Sequence, residues 1–172
     1  QQANHFIDQV LGEIDFPAGE KLQVFQIKLN LVRQLNDNQK IDAMLDEMIN
    51  LEGVEGKTRE RLIVKKIYLM IGSGRDAEAM KLLDESIASD DSKLFLLMAK
   101  GELLDSKDEF AKAVLAFDDA IKSARNSPDV LIDLVSAKAD SLFALKQEAE
   151  ALQALDNFSE DTQMPSDLRA EA

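Results

Sequence analysis

Apolar residues recur along this chain at steps of three and four. Phe110, Ala113, Val114, Phe117, Ala120, Ile121 and Ala124 form one continuous stripe, and Leu94, Leu97, Gly101 and Leu104 form another just upstream. At 3.6 residues per turn such positions share one face of an α-helix. No segment sustains the two-residue alternation of a half-buried strand, so the pattern predicts an all-α chain. The breaks fall between the stripes. Gly53-Val54-Glu55-Gly56 parts two helices, with Thr58 expected to N-cap the second. Gly72-Ser73-Gly74 parts the next pair, where Gly can take the left-handed conformation past a helix end. Asp90-Asp91-Ser92 is a polar gap. Ser106-Lys107-Asp108-Glu109 reads as a capping box, the Ser accepting from the amide three residues on and the Glu reaching back. Ser127-Pro128 supplies an N-cap followed by Pro at the first helical position. Pro17 precedes a helix from about Ala18 to Leu35, residues 1–16 form a helix of their own, and Met164-Pro165-Ser166 precedes a last one. The expectation is roughly nine or ten helices joined by short loops, which makes sequence neighbours antiparallel.

The stripes repeat. Ala113, Phe117 and Ala120 give small-x3-large-x2-small, and Ala79, Leu83 and Ser86 give the same scheme 34 residues earlier. Leu97, Gly101 and Leu104 stand in the helix before Ala113. A small residue at Gly101 is expected where two helices cross closely. Val135, Ala139 and Leu142, then Ala151, Leu155 and Phe158, continue the scheme after 38 residues, as Phe25, Leu29 and Val32, then Ile41, Leu45 and Met48, begin it. Arg169-Ala170-Glu171 echoes Lys100-Gly101-Glu102. With its period of 34 and this second-helix signature, the chain resembles the tetratricopeptide repeat family over about residues 22–172. It departs from the family pattern at Lys100, where Leu is usual, at Ile67, where a small residue is usual, and in lacking Trp. The resemblance implies antiparallel helical hairpins stacked as a right-handed superhelix, an α-solenoid. The whole chain would be one repeat domain, with repeats at 22–59, 60–93, 94–131 and 132–163 and a further one starting at 164–172.

Composition narrows the function. Hydrophobic residues at 45% and charged residues at 31% suit a folded helical chain, and a net charge of −13 disfavours phosphate backbones and anionic lipid as partners. The absence of Cys removes disulfides and thiolate chemistry. No apolar run reaches the ~18 residues of a membrane span. Candidate chemistry is thin. Gly53 to Thr58 ends like a phosphate-binding loop, but its glycines are too close. His5, the single His, cannot build a common zinc site alone. Asp118-Asp119 point about 100° apart on a helix, and Asn36-Asp37-Asn38 lacks the Gly and distal Glu of a calcium loop. Asn157-Phe158-Ser159 has the form of a glycosylation acceptor, yet Phe158 reads as core. We expect no catalytic residue, no cofactor and no metal. Lys57, Arg59, Arg61, Lys65 and Lys66 form the one basic cluster, either salt-bridged to nearby acids or a dock for an acidic peptide or C-terminus.

The resemblance implies a non-catalytic scaffold that binds a partner protein or peptide in the groove lined by first helices. Matched position by position, that groove carries Gln23, Gln26, Asn30 and Arg33, then Arg61, Val64, Tyr68 and Ile71. After these come Phe95, Met98, Glu102 and Asp105, then Asp133, Ser136, Asp140 and Phe143. A subfamily that grips C-terminal carboxylates places a basic residue where Phe95 and Ala99 stand here, which disfavours that use. Other readings are a helical accessory domain of a larger, even enzymatic, protein, or an oligomerisation module. The chain opens without Met and stops inside a helical pattern, so we expect a piece of a longer protein. These features and the lack of Cys lean toward a bacterial cell-envelope or secreted origin.

Overall fold

A computed structural model describes residues 17–34, 37–89, 93–124 and 128–160. The described residues form eight helices and no strand: α1 (Ala18–Arg33), α2 (Asn38–Ile49), α3 (Gly56–Gly72), α4 (Asp76–Ser89), α5 (Leu94–Asp105), α6 (Phe110–Ser123), α7 (Pro128–Ala144) and α8 (Glu148–Glu160). The 1–16 helix with His5, the gap Asp90–Ser92, the Ser127 cap and the start of a further repeat at 164–172 lie outside the described residues. The chain divides into two compact units, Gln1–Gly74 and Arg75–Ala172.

In the first unit α1 packs on α2 and α2 on α3. Phe25, Leu29, Val32, Ile41, Met44, Leu45, Met48, Val54 and Leu62 make its core. In the second unit each helix from α4 to α8 packs on the next, and α5 also reaches α7. Its core is built from Leu104, Ala113, Ala116, Phe117, Ala120, Ala124 and Leu134, extended by Val135 with Phe158 and by Ala139, Leu142 and Ala151. The small-x3-large-x2-small positions are buried in every second helix apart from half-buried Leu155. Burial of such Leu, Ile and Phe side chains contributes about 1.5–3 kcal/mol each.

Gly101 shows why its position is small. A Cβ built there would lie 2.7 Å from Phe117 Cδ1 and Cζ, and closer still to Cε1. The neighbour that demands the space is the aromatic ring of α6 rather than its backbone. Gly101 is the notch and Phe117, 1% exposed, the knob.

The turns follow one plan. The Asp108 N–H donates to Asp105 O (2.9 Å) and the Glu109 N–H to Leu104 O (3.0 Å); the Lys146 N–H donates to Phe143 O (2.9 Å) and the Gln147 N–H to Leu142 O (2.9 Å). Asp108 and Lys146 sit at φ 59° and 62°, which completes a left-handed C-terminal stop at the end of α5 and of α7. Gly74, in the same register after α3, has φ 72° and donates to Ile71 O at 2.9 Å. The expected capping box is therefore corrected. Ser106 belongs to the end of α5, where its hydroxyl donates to Leu103 O at 2.8 Å, and α6 begins at Phe110 with Glu109 as N-cap. The left-handed Asp108 separates the two, so Ser106 cannot reach the first turn of α6. Thr58 is likewise not an N-cap, because α3 begins at Gly56 after the extended Glu55. An N-cap does form at Asp37, whose carboxylate accepts from the Lys40 N–H at 3.1 Å.

A second regularity links each second helix to the first helix that follows it. Lys66 of α3 pairs with Asp46 of α2 and lies 3.4 Å from Asp42. Lys100 of α5 pairs with Asp84 of α4 at 2.6 Å, and Lys138 of α7 with Asp118 of α6 at 2.7 Å. Each Lys immediately precedes the close-crossing position (Ile67, Gly101, Ala139). Each Asp follows the large residue of a second helix (Leu45, Leu83, Phe117). Lys100, one of the departures from the tetratricopeptide pattern, is thus one rung of a repeated ion pair.

Candidate functional site

The first helices bury one face and leave the other open, because their apolar stripe spans only part of the circumference. On α1, Gln23, Gln26, Asn30 and Arg33 are exposed. On α3, Arg61 and Tyr68 are exposed, and Val64 and Ile71 are half-buried. On α5, Phe95, Met98, Glu102 and Asp105 are half-buried, while on α7 Asp133, Ser136, Asp140 and Phe143 are exposed. Every groove residue expected from sequence therefore reaches solvent at least in part. Asp105 has a further task, since it accepts from the fully buried Ser141 hydroxyl at 2.6 Å and ties α7 to α5. Tyr68 and Phe143, each 44% exposed, are the aromatic members of the exposed large hydrophobics among the described residues.

Concavities lie among the described helices of both units. One of about 430 Å³ in the second unit is lined by Met80, Leu97, Leu104 and Ala116 and by charged groups that already face one another. Asp84 pairs with Lys100 there, Glu109 with Lys112, and Asp119 with Lys122 at 2.8 Å. The bond from Lys112 holds the Glu109 carboxyl below the usual range, and the bond to Asp119 raises the Lys122 ammonium. A smaller one of about 240 Å³, lined by Ile121, Leu131, Val135 and Phe158, contains the Asp118–Lys138 rung. Both are apolar clefts whose charges are mutually satisfied.

The concavity of the first unit differs. It has a volume of about 480 Å³, within the range of ligand-binding clefts. Leu29, Ile41, Leu45 and Leu69 form its floor, and Arg33, Asn38, Lys65 and Tyr68 its polar rim. None of these eight residues is a carboxylate. Lys65 and Lys66 are adjacent on α3 and therefore diverge by about 100°. Lys66 turns inward to Asp42 and Asp46, while Lys65 is exposed at the rim. The basic cluster of the sequence is thus split: Lys66 is salt-bridged, and Lys65 joins Arg33, which lies outside that cluster. The acid nearest in sequence to Asn38 is Asp37, and it is engaged. Its bond from the Lys40 amide, reinforced by the Lys40 ammonium at 3.0 Å, holds its carboxyl below the ordinary aspartate value.

Sequence reasoning missed this pocket and the Asp–Lys rungs. The rungs had a readable signal, because Asp46, Asp84 and Asp118 are spaced by 38 and 34 residues, the same offsets as the small positions beside them. The pocket had none, since Arg33, Asn38, Lys65 and Tyr68 come from three helices with no shared motif. No helix of the described residues is long and apolar enough to cross a membrane. No protein-family model matches the chain, and neither does any curated protein.

Proposed function

We propose that this chain is a non-catalytic interaction scaffold, a tetratricopeptide-like array whose hairpins stack as a right-handed superhelix. The open faces of its first helices bind a partner protein or peptide. The observation that carries this reading is that α1 and α3 in the first unit, and α5 and α7 in the second, each keep their expected groove residues at least partly in solvent, with aromatic side chains exposed at Tyr68 and Phe143. Exposed aromatics on a rigid helical face are suited to anchoring contacts. The contact of α5 with α7, the recurring left-handed turn and the recurring Asp–Lys rung favour an array of equivalent hairpins over an irregular bundle. The clefts of the second unit contain charges that satisfy one another, which favours packing over chemistry there.

The test is crosslinking capture from the native host, run with the whole chain and with Tyr68→Ala and Met98→Ala variants of equal helicity. Capture of one partner that either variant loses supports the reading. Equal capture by all three chains moves binding to another surface, and no capture by a folded chain removes the scaffold reading.

A further inference from the structure

The open cleft of the first unit has two cations with no counter-charge among the described residues, in a protein that is acidic overall. Arg33 closes α1 and Lys65 stands midway along α3, both exposed and without an ion pair among the described residues. Elsewhere the lysines lining clefts are matched, Lys100 by Asp84 and Lys138 by Asp118. The contrast is deeper than one pair. Residues 1–74 contain nine Lys and Arg against eleven Asp and Glu, whereas residues 75–172 contain eleven against 22. The excess of acid is therefore much smaller in the unit that has this cleft.

We propose that this cleft binds an acidic peptide segment of a partner protein. An aliphatic or aromatic side chain of the segment rests on Leu29, Ile41 and Leu45, and flanking carboxylates meet Arg33 and Lys65. The inference rests on the scaffold reading and names the chemistry of its ligand. Buried Leu29, Ile41 and Leu45 supply an apolar floor with no hydrogen-bonding group, which selects a hydrocarbon side chain. The Arg33 guanidinium suits bidentate carboxylate recognition and the Lys65 ammonium acts as a point charge. They come from two helices on the rim of one cleft, which fits carboxylates spaced along a chain. Tyr68 adds a ring and a hydroxyl to that rim, and Asn38 adds an amide that can donate to or accept from a peptide backbone. A nucleic acid is disfavoured because a long polyanion would meet the net charge of −13.

The probe is a short peptide alternating Glu and Leu, acetylated and amidated so that only side chains carry charge, beside its Gln-for-Glu counterpart. Binding to the whole chain is read by fluorescence anisotropy and mapped by amide chemical shifts. The Glu peptide should bind about tenfold more tightly than the Gln peptide and weaken with added salt. Its shifts should fall on Leu29, Ile41, Tyr68 and Leu69. The Arg33→Gln, Lys65→Gln double variant, altered only at exposed positions, should keep its helicity and lose the preference. Equal affinity for the two peptides, shifts confined to residues 75–172, or an unchanged preference in the double variant overturns the proposal. Growth in mass of the chain itself in place of peptide binding also overturns it, because the occupant is then a second copy. Partner capture separates the two levels. A native partner held equally by wild type and double variant sinks the cleft and spares the scaffold. A Glu-peptide preference with no native partner captured spares the cleft and sinks the scaffold.

Discussion

The two units solve the same packing problem with different side chains. In the first, the close-crossing position of α1 is Leu29 and the large position of α2 is Leu45, both in one core cluster. In the second, the equivalent positions hold Gly101 with Phe117, and then Ala139 with half-buried Leu155. Two large residues keep helices apart, whereas a notch lets a ring or a leucine penetrate. The lesson is that the crossing is set by the sum of the two side chains and not by the small residue alone. A motif search that asks for Gly or Ala at one position finds the second unit and underrates the first.

Substitutions can break that comparison, and the largest effect is expected at the notch. Gly101→Leu, which imports the first unit's residue, should destabilise the second unit by about 3 kcal/mol or more, because the ring of Phe117 has nowhere to move. Gly101→Ala should cost less, and Gly101→Ala with Phe117→Leu should recover most of the loss by recreating the Ala139–Leu155 pair. Urea unfolding of the three variants measures this, and additive losses in the double variant would refute the shared-volume argument.

The next effect is at the rungs. Lys66 has an 11% exposed side chain between two aspartates, whereas Lys100 is 30% exposed with one. Lys66→Met should lower stability by about 1–2 kcal/mol, because half-buried Asp42 and exposed Asp46 lose their shared cation. Lys100→Met should change it by less than about 1 kcal/mol. Thermal melts of the two variants order them, and an equal loss would show that burial does not grade the rungs.

A smaller change is expected at the turns, with the opposite sign. Lys146 holds a left-handed backbone that Gly74 adopts without strain. Lys146→Gly should raise stability by roughly 0.5–1 kcal/mol, and Gly74→Lys should lower it by a similar amount. The smallest effect is a pH dependence confined to the first unit. The folded-state pKa of Asp37 is lowered, chiefly by the Lys40 amide, so its contribution is present above the ordinary value of 3.8. It is lost as pH falls from there through the lowered value. Asp37→Asn, which still accepts from the amide, should flatten that part of the acid unfolding curve, and an unchanged curve would remove Asp37 from it.

Much of the fold was legible because helix periodicity is local. The stripes, the buried second-helix positions and the need for a small residue at Gly101 could all be read from spacing. Helix ends were less legible, since Ser106 to Glu109 satisfies the capping-box pattern yet ends one helix through a left-handed Asp108. That outcome is decided by backbone bonds to Leu104 and Asp105, which no residue type announces. The open faces followed from the repeat register. The cleft of the first unit did not, because its rim is assembled from the end of α1, the start of α2 and the middle of α3.

The rungs also have a direction. In each, the anion belongs to the earlier helix pair and the cation to the later one. A hairpin of this kind has a cationic leading side and an anionic trailing side, like a coupling with a plug and a socket. Two leading sides pressed together would set lysine against lysine, and two trailing sides aspartate against aspartate. Symmetric end-to-end dimers are therefore penalised by the same residues that join neighbouring hairpins. A further helix pair of this kind would meet its neighbour with matched charges in one orientation only.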